Sequence, residues 1–474
     1  MSQVISRAAP VFLQLLVKPM ELKRELGIFD SVMLIVGSMI GIGIFVTTGF
    51  IAQQVSSPGI ILLVWLLGGL LALVGALSCA ELGSSLPYAG GDYVYLREAY
   101  GPLVGFLSGW ASFFVTFSGS VASLAVGFTA FIAFFVPALE QTRSLFSVQM
   151  FGLSFQLSLA SVFSIGVILL LSMIQVIGIR QGSWVQNFLT LLKIGALLGI
   201  VVLGVSMGKG SLSHFSPFLE FSQSNSLTIL GTAFIPVIFT YAGWNAVIYV
   251  AGEVKRPATD LPYSLLWATL LVIALYLAVN AVYLYGLPVQ DMKGVLRVAE
   301  VATTALFGYH ASVWITGIIA LSILGAMNAI IMTGPRIYYA MALDRILFRR
   351  LARVHPLFHT PSNAIILQAL WASILVLTGT FEALLTYVTV IIVLVSALTV
   401  GAVLVLRAKR PEMNRPYKIW GYPVVPSLFI VAHLGIALAT FWERPLESLL
   451  GAGIVALGIP AYFLWSRLQG SDGY

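Results

Sequence analysis

The sequence predicts an all-α membrane protein with twelve transmembrane helices. Hydrophobic residues fill 59% and charged residues 9% of the 474 positions, with a mean hydropathy of +0.99, which leaves too little polar surface to clothe a soluble chain of this length. The apolar residues fall in continuous runs close to the ~20 residues a membrane helix requires, and lack the in-out alternation of a transmembrane barrel. Lys and Arg gather between alternate runs, which is the charge pattern of a polytopic protein.

In chain order the predicted spans are 29–50, 59–83, 103–136, 156–178, 184–207, 227–251, 262–286, 311–342, 362–379, 383–406, 423–442 and 447–466. Only short connections remain, with no room for a sizeable soluble domain. The stretch before the first span carries Lys18, Glu21, Lys23, Arg24 and Glu25. The apolar run after it is too long and Gly-rich for a signal peptide and has no small-residue cleavage site, so the segment is expected to stay attached. With the N-terminus inside, nineteen Lys and Arg lie on the inner side and five (Arg143, Lys209, Lys293, Arg297 and Arg444) on the outer, with Lys193 the remaining one of 25. Both termini are therefore expected in the cytoplasm of a multi-pass protein of the cell membrane, inner or plasma.

Composition excludes several classes. The single cysteine, Cys79, allows neither an internal disulfide nor a Cys-based zinc site. A net charge of +7 invites a nucleic-acid reading, but no dense basic-aromatic surface accompanies it, so no nucleic acid is expected. His355 and His359 have helical metal-ligand spacing, but Pro356 and Pro361 interrupt the helix, and His214, His310 and His433 stand alone. No metal and no cofactor are expected. Asp344, Arg345, Arg349 and Arg350 read as topology determinants that also attract anionic lipid. No Ser-His-Asp spacing, membrane-embedded acid pair or phosphate loop supports an enzyme, and neither a repeated pore element nor a charged ring supports a channel.

Two spans are interrupted at their middle. The first reads Gly37-Ser38-Met39-Ile40-Gly41-Ile42-Gly43-Ile44-Phe45, with glycines that weaken a helix where lipid offers the backbone no substitute partner. The sixth reads Phe239-Thr240-Tyr241-Ala242-Gly243-Trp244-Asn245, preceded by Pro236. If ten spans form two five-helix repeats, these are the opening helices of each, and interruptions at corresponding positions of two halves point to a transporter binding site. A split helix exposes N–H groups that favour an anion and carbonyls that favour a cation, the two charges of an α-amino acid. Gly37 and Gly41 also form a G-x-x-x-G, which elsewhere is a helix-packing surface. Gly41-Ile42-Gly43 is not a nucleotide fingerprint, since the third glycine and the preceding strand are missing.

Together with Ala80-Glu81-Leu82-Gly83, Gly90-Gly91-Asp92-Tyr93, Leu96-Arg97-Glu98-Ala99-Tyr100-Gly101-Pro102, Gly252-Glu253, Gly334-Pro335-Arg336 and Arg415-Pro416-Tyr417, these runs resemble the amino acid-polyamine-organocation (APC) superfamily over nearly the whole chain. The nearest resemblance is to bacterial permeases similar to the L-amino acid transporter branch. It implies a LeuT-type fold of 5+5 inverted repeats, with broken helices 1 and 6 and two C-terminal helices. The corresponding divisions are an N-terminal segment 1–28, a first repeat 29–207, a second, inverted repeat 227–406, a basic cytoplasmic loop 407–422 and a C-terminal part 423–474. Carried over by position, the amides that bind a substrate carboxylate match Ile42 and Gly43, and the carbonyls that hold its amino group match Met39, Phe239 and Ala242. Gly41, Thr240, Tyr241 and Asn245 complete the candidate binding set, and Glu81, Trp244 and Glu253 the candidate gate. The branched Ile42 and the Ala242 depart from the smaller residues common there, and Ile42 narrows the pocket.

Lys193 lies about nine residues past Trp184, which at about 1.5 Å per residue sets it roughly 14 Å into a roughly 30 Å core. A cation at that depth is costly and is a functional candidate, although a lysine that glues helices through carbonyls is the competing reading. The resemblance places it where sodium-coupled relatives hold a sodium ion, implying sodium independence through proton coupling or exchange. Ser322 and Asn328 are candidate partners on span eight. Asp30 reads as an N-cap, and Glu81 and Glu253 read first as solvated charges near cytoplasmic helix ends. No carboxylate is expected in the pocket, so the substrate is expected to be a neutral L-amino acid moved by alternating access, with protons as a candidate second partner. The rivals are a nontransporting sensor or partner subunit of the same fold, and a cationic amine or polyamine permease.

Overall fold

The computed structural model describes residues 22–140, 144–150, 153–220, 227–378, 381–443 and 445–470. Among the sequence assignments, Arg7, Lys18, Glu21, Arg143 and Arg444 lie outside the described residues. Among those described, nine helices are long and apolar enough to cross a membrane, and a bent pair makes a tenth.

That pair is α1 (Ile28–Met39) and α2 (Gly43–Gln54), which meet at 41° across the first predicted break. Helix α3 (Pro58–Ser85) opens on proline, whose missing N–H costs nothing at a first turn. A short helix, α4 (Asp92–Tyr100), follows, and then α5 (Pro102–Ala111) runs through a π-helical turn at Ser112–Thr116 into α6 (Phe117–Ile132). Gly91, at φ +52°, turns the chain into α4 and sets Asp92 as its first residue. Helices α7 (Leu159–Ile177) and α8 (Ile179–Met207) complete the first half. The second half contains α9 (Leu227–Tyr241), α10 (Ala246–Tyr249), α11 (Pro257–Gly286), the short α12 (Val298–Phe307), α13 (Ala311–Thr333), α14 (Pro335–Leu343), α15 (Ser362–Thr378) and α16 (Phe381–Lys409). Helices α17 (Val424–Glu443) and α18 (Pro445–Gly470) end the described chain.

The structure departs from the all-α expectation at one place. Strands β1 (Ser144–Met150) and β2 (Leu153–Ser158) pair antiparallel, with Val148 opposite Phe155. The fourth span accordingly begins at Leu159, not at 156, because Ser158 caps the helix by accepting the Ser161 N–H at 3.1 Å. Leu-Ser-Phe-Gln-Leu-Ser at 153–158 alternates with period two, a strand pattern, although its last three residues adjoin an apolar run and fall within the predicted fourth span. Helix α9, at 15 residues, is shorter than the predicted span 227–251, whose remainder holds the break and α10.

Helix α11 packs along α3, and α13 packs along α6 and α8. Helix α1 lies among α8, α11 and α13, while α9 rests on α2 and α3. Both broken segments therefore sit at the centre of the bundle, where lipid does not reach.

One end of the bundle is tied by buried charges, which corrects the reading of Glu81 and Glu253 as solvated. Glu253 and Arg336 are both fully buried and form a two-bond pair at 2.9 and 3.0 Å. Glu81, 1% exposed, accepts from Arg407 at 2.6 and 2.8 Å and from the Ile419 N–H at 2.7 Å. Their partners are distant in sequence, so helix-end position alone misjudges their environment. The strap before α1 joins the same end, since Glu25 and Leu26 N–H both donate to the Glu253 carbonyl at 2.9 Å and Lys255 N–H returns to Leu26 at 2.9 Å.

Removing one partner of a buried ion pair leaves an uncompensated charge, at a cost of about 3–5 kcal/mol. Glu253→Ala should therefore lower the Tm of the detergent-solubilised protein markedly, and adding Arg336→Met should restore part of it. An unchanged Tm in the single variant would show that water solvates Arg336.

Candidate functional site

The two breaks lie against each other. Gly243, in the turn between α9 and α10, has φ +98°, and a Cβ there would stand 2.6 Å from Ser38 Oγ and 3.0 Å from the Ser38 carbonyl. Gly43, the first residue of α2, faces Thr240, whose Oγ1 would be 2.4 Å from a Cβ at that position. Thr240 is fixed by bonds to Thr47 at 2.6 Å and to the Pro236 carbonyl at 2.8 Å, the carbonyl bond being the i−4 partner typical of a helical threonine. Only glycine at both positions lets the backbones approach this closely.

Tyr276 on α11 spans the two breaks. Its hydroxyl lies 2.8 Å from the Met39 carbonyl and 3.4 Å from the Thr240 carbonyl, so it contacts the last turn of each interrupted helix. Tyr276 and Tyr241 pack around Trp65, with ring centroids 5.4 and 5.9 Å from it. Tyr241 directs its hydroxyl to the Trp65 carbonyl at 3.2 Å and does not line the cavity, so its expected place in the binding set is corrected. A helix places alternate faces about 100° apart, and Thr240 takes the cavity side instead.

The cavity at the junction is lined by Met39, Gly41, Ile42, Gly43, Phe239, Thr240, Ala242 and Asn245 from the expected set. Trp244 also lines it, held edge-on against Phe429 at 6.0 Å. The other candidate gate residues, Glu81 and Glu253, belong to the ion pairs at the bundle end and not to the cavity wall. As first residue of α2, Gly43 has an N–H with no intrahelical acceptor, and the macrodipole adds partial positive charge at the same point. The Phe239 carbonyl accepts from the Ala242 N–H at 3.1 Å and, with two lone pairs, retains capacity for another bond, whereas the Met39 carbonyl accepts from both the Tyr276 hydroxyl at 2.8 Å and the Gly41 N–H at 2.9 Å.

Lys193, 1% exposed, reaches from α8 to the end of α1. Its Nζ donates to the carbonyls of Gly37 and Ile40, both at 2.7 Å. Neither suggested span-eight partner meets it: Ser322 Oγ makes no hydrogen bond, while Asn328 binds Gln175 at 2.9 Å and Gln186 at 2.8 Å. What α13 supplies is space, because a Cβ on Gly325 would lie 2.7 Å from Lys193 Cε. An uncompensated cation at mid-membrane costs about 2.5–3.5 kcal/mol on insertion scales. Two charge-assisted bonds at about 1.5–3 kcal/mol each offset it.

Sequence reading missed Asp92. This carboxylate lines the same cavity and is 6% exposed. Burial raises its pKa from 3.8 to about 6, against the opposing hydrogen bond from Tyr249 and the nearby Thr399 hydroxyl. A lone acid after Gly90-Gly91 carries no signal of burial, and the two glycines that fold it inward are its only trace in the sequence.

Paired chain breaks around a central cavity inside a membrane-spanning bundle define a transporter. Comparison with known proteins then specifies the kind. Residues 26–456 match the family model described as Amino acid permease. The chain is 31% identical over 447 residues to the large neutral amino acids transporter small subunit 2 of Oryctolagus cuniculus, covering 94% of this chain and 80% of that protein. It is 30% identical over 453 residues to the serine/threonine exchanger SteT of Bacillus subtilis (strain 168), covering 95% and 98%. It is 29% identical over 449 residues to the cystine/glutamate transporter of Homo sapiens, covering 94% and 86%. The chain belongs to the amino acid permease family, within the superfamily its motifs resemble. It is a multi-pass membrane protein that transports amino acids, not an enzyme.

Gly43→Val should abolish substrate binding while the protein still inserts and purifies as a monodisperse species. The new methyls would collide with Thr240 and cover the α2 amides. A substrate-dependent rise in Tm of the Gly43→Val protein equal to that of wild type would contradict this placement.

Proposed function

We propose that the protein carries neutral L-amino acids across the cell membrane by alternating access, without sodium. The observation that supports this most is the pair of interlocked breaks, with unpaired amides at the start of α2 facing carbonyls at the ends of α1 and α9 across one cavity. In this reading the substrate carboxylate rests on the Ile42 and Gly43 amides beside Gly41. Its ammonium is shared among the Met39, Phe239 and Ala242 carbonyls, and Thr240, Asn245 and Trp244 bound its side chain. Among the described residues no Lys or Arg lines the cavity, so an acidic side chain would find no counter-charge there. Names of the relatives support the same class: one is a large neutral amino acids transporter and another a serine/threonine exchanger.

The architecture we assign is that of twelve spans in a LeuT-type arrangement, 29–207 forming one repeat, 227–406 its inverted copy and 423–474 the appended helices. The ten span candidates together with α9–α10 and α15 reach that number. Packing of α3 on α11 and of α6 on α13 supports the repeat, since each pair joins corresponding helices of the two halves. Both termini and the Glu253–Arg336 and Glu81–Arg407 pairs then lie at the cytoplasmic end, where the pairs act as a gate that must part for inward release. The "small subunit" in the first relative's name makes a companion subunit a further proposal.

In liposomes loaded with unlabelled substrate, uptake of labelled L-leucine or L-serine should continue at an undiminished rate when sodium is replaced by choline. Strict sodium dependence would exclude Lys193 as the occupant of an ion position. In the same vesicles, methyl esters and N-acetyl derivatives should compete at least about tenfold more weakly than the parent amino acid, since each loses a charge-assisted contact worth about 1.5–3 kcal/mol. Equal competition by either derivative would show that the breaks do not bind the zwitterion.

A further inference from the structure

We propose that Asp92 is a proton-binding site in the wall of the substrate cavity, loaded as an amino acid is enclosed beside it and unloaded when the cavity opens to water. The inference rests on the transport reading of that cavity and adds a second ligand, the proton, to it.

Geometry carries the assignment. Oδ2 accepts from the Tyr249 hydroxyl and, at 3.5 Å, from Asn245 Nδ2, while Asn245 also donates to Tyr249 at 3.1 Å. Oδ1 is buried and has no hydrogen-bond partner. Thr399 of α16, fully buried and interacting with the same carboxyl, likewise has a hydroxyl oxygen without a bond. A hydroxyl serves either protonation state, donating to an ionised Oδ1 or accepting from a protonated one. Among the described residues no cation answers the carboxylate. The groups that face it are Tyr249 and Asn245 from the α9–α10 segment, Cys79 from α3, Tyr95 from α4 and Thr399 from α16. All are uncharged at the pH where a carboxyl titrates.

Nearby charged groups are engaged elsewhere. Arg97 pairs with Glu98 and Asp344, Arg336 with Glu253, and Arg407 with Glu81. A buried carboxylate without a cation either gains a proton or loses stability, and the amphoteric neighbour at Oδ1 fits the first. Asn245 lies at the end of the second break, so the acid is two hydrogen bonds or fewer from the segment that changes when substrate binds.

The sign follows from solvation. The carboxyl already titrates near 6 with the cavity as described. Enclosing a substrate removes more water from it, which disfavours the anion further and raises the pKa again, so binding takes up a proton from solution onto Oδ1 with no other bond changed. Affinity is then greatest at low pH and falls as pH rises through 6, by at most about tenfold per pH unit. His433 is a second ionisable side chain of the cavity wall, with Nδ1 3.1 Å from the Phe429 carbonyl and its ring stacked on Phe429 at 3.7 Å. The test must separate the two.

Binding of L-leucine and L-serine to the full-length protein in nanodiscs is measured by calorimetry from about pH 5.5 to about pH 8, in buffers of different ionisation enthalpy. The wild type should bind about tenfold or more weakly at the alkaline end, with an apparent enthalpy that varies with the buffer. Asp92→Asn should bind with an affinity independent of pH and buffer. Tyr249→Phe removes a donor to the anion and should move the midpoint upward by about one pH unit while His433→Gln leaves it in place, a shift that a merely structural role of Tyr249 would not produce. Wild-type binding that ignores pH, or pH dependence that survives in Asp92→Asn or disappears in His433→Gln, would overturn the proton site. L-lysine binding more tightly than L-leucine and weakening at low pH would overturn it too, by making Asp92 a receptor for ammonium. Failure of every amino acid to bind wild type at any pH would instead refute the transport reading on which the site rests.

Discussion

The structure depends on how a helix broken inside a membrane satisfies its backbone. When α1 stops at Met39, the carbonyls of its last turn lose their intrahelical donors in surroundings without bulk water. Lys193 supplies two donors at 2.7 Å to Gly37 and Ile40, and Tyr276 supplies another to Met39 at 2.8 Å. The same contacts keep the ammonium itself from being an unpaired charge. Break and lysine therefore stabilise each other, and neither arrangement is tenable alone. This dependence reaches further, because the lysine needs the empty volume at Gly325, which fixes α13 against α8.

From that anchor the cavity acquires its polarity. Carbonyls at the end of α1 are partly neutralised by Lys193 and Tyr276, while the amides opening α2 have no such partner, so the site retains a surplus of donors on one side and residual acceptors on the other. A zwitterion matches this division, whereas a simple anion or cation matches half of it. Gly243 against Ser38 and Gly43 against Thr240 hold the two halves at backbone contact, too close for a side chain and near enough for one small ligand to touch both. The polar groups that the two breaks contribute to the cavity are thus main-chain amides and carbonyls.

Hydropathy made most of the architecture legible. The second span was expected at 59–83 and is Pro58–Ser85, and the seventh at 262–286 is Pro257–Gly286. Both breaks were visible as glycine and small-residue runs within apolar helices, and Lys193 through its depth. What stayed hidden depends on neighbours from elsewhere in the chain. Tyr276 is one of 18 tyrosines and acquires its role only because α11 passes both breaks. Asp92 resembles a loop acid until Gly90 and Gly91 turn it into the cavity, and Glu81 and Glu253 resemble surface charges until Arg407 and Arg336 are placed beside them. Of strands β1 and β2 only 156–158 fall within a predicted helix, because they adjoin the apolar run of the fourth span, while the rest lie in a connection where no strand is expected.

The central claim is that the Lys193 ammonium replaces an ion beneath the broken helix. Its most direct measurement is L-amino acid counterflow in liposomes with K193M, which keeps the length of the side chain and removes the charge. We predict that flux falls to the level of empty liposomes while the variant inserts and elutes as wild type does, because the Gly37 and Ile40 carbonyls lose their donors and α1 loses its end point. Wild-type flux through K193M would contradict the account and reduce Lys193 to a packing residue.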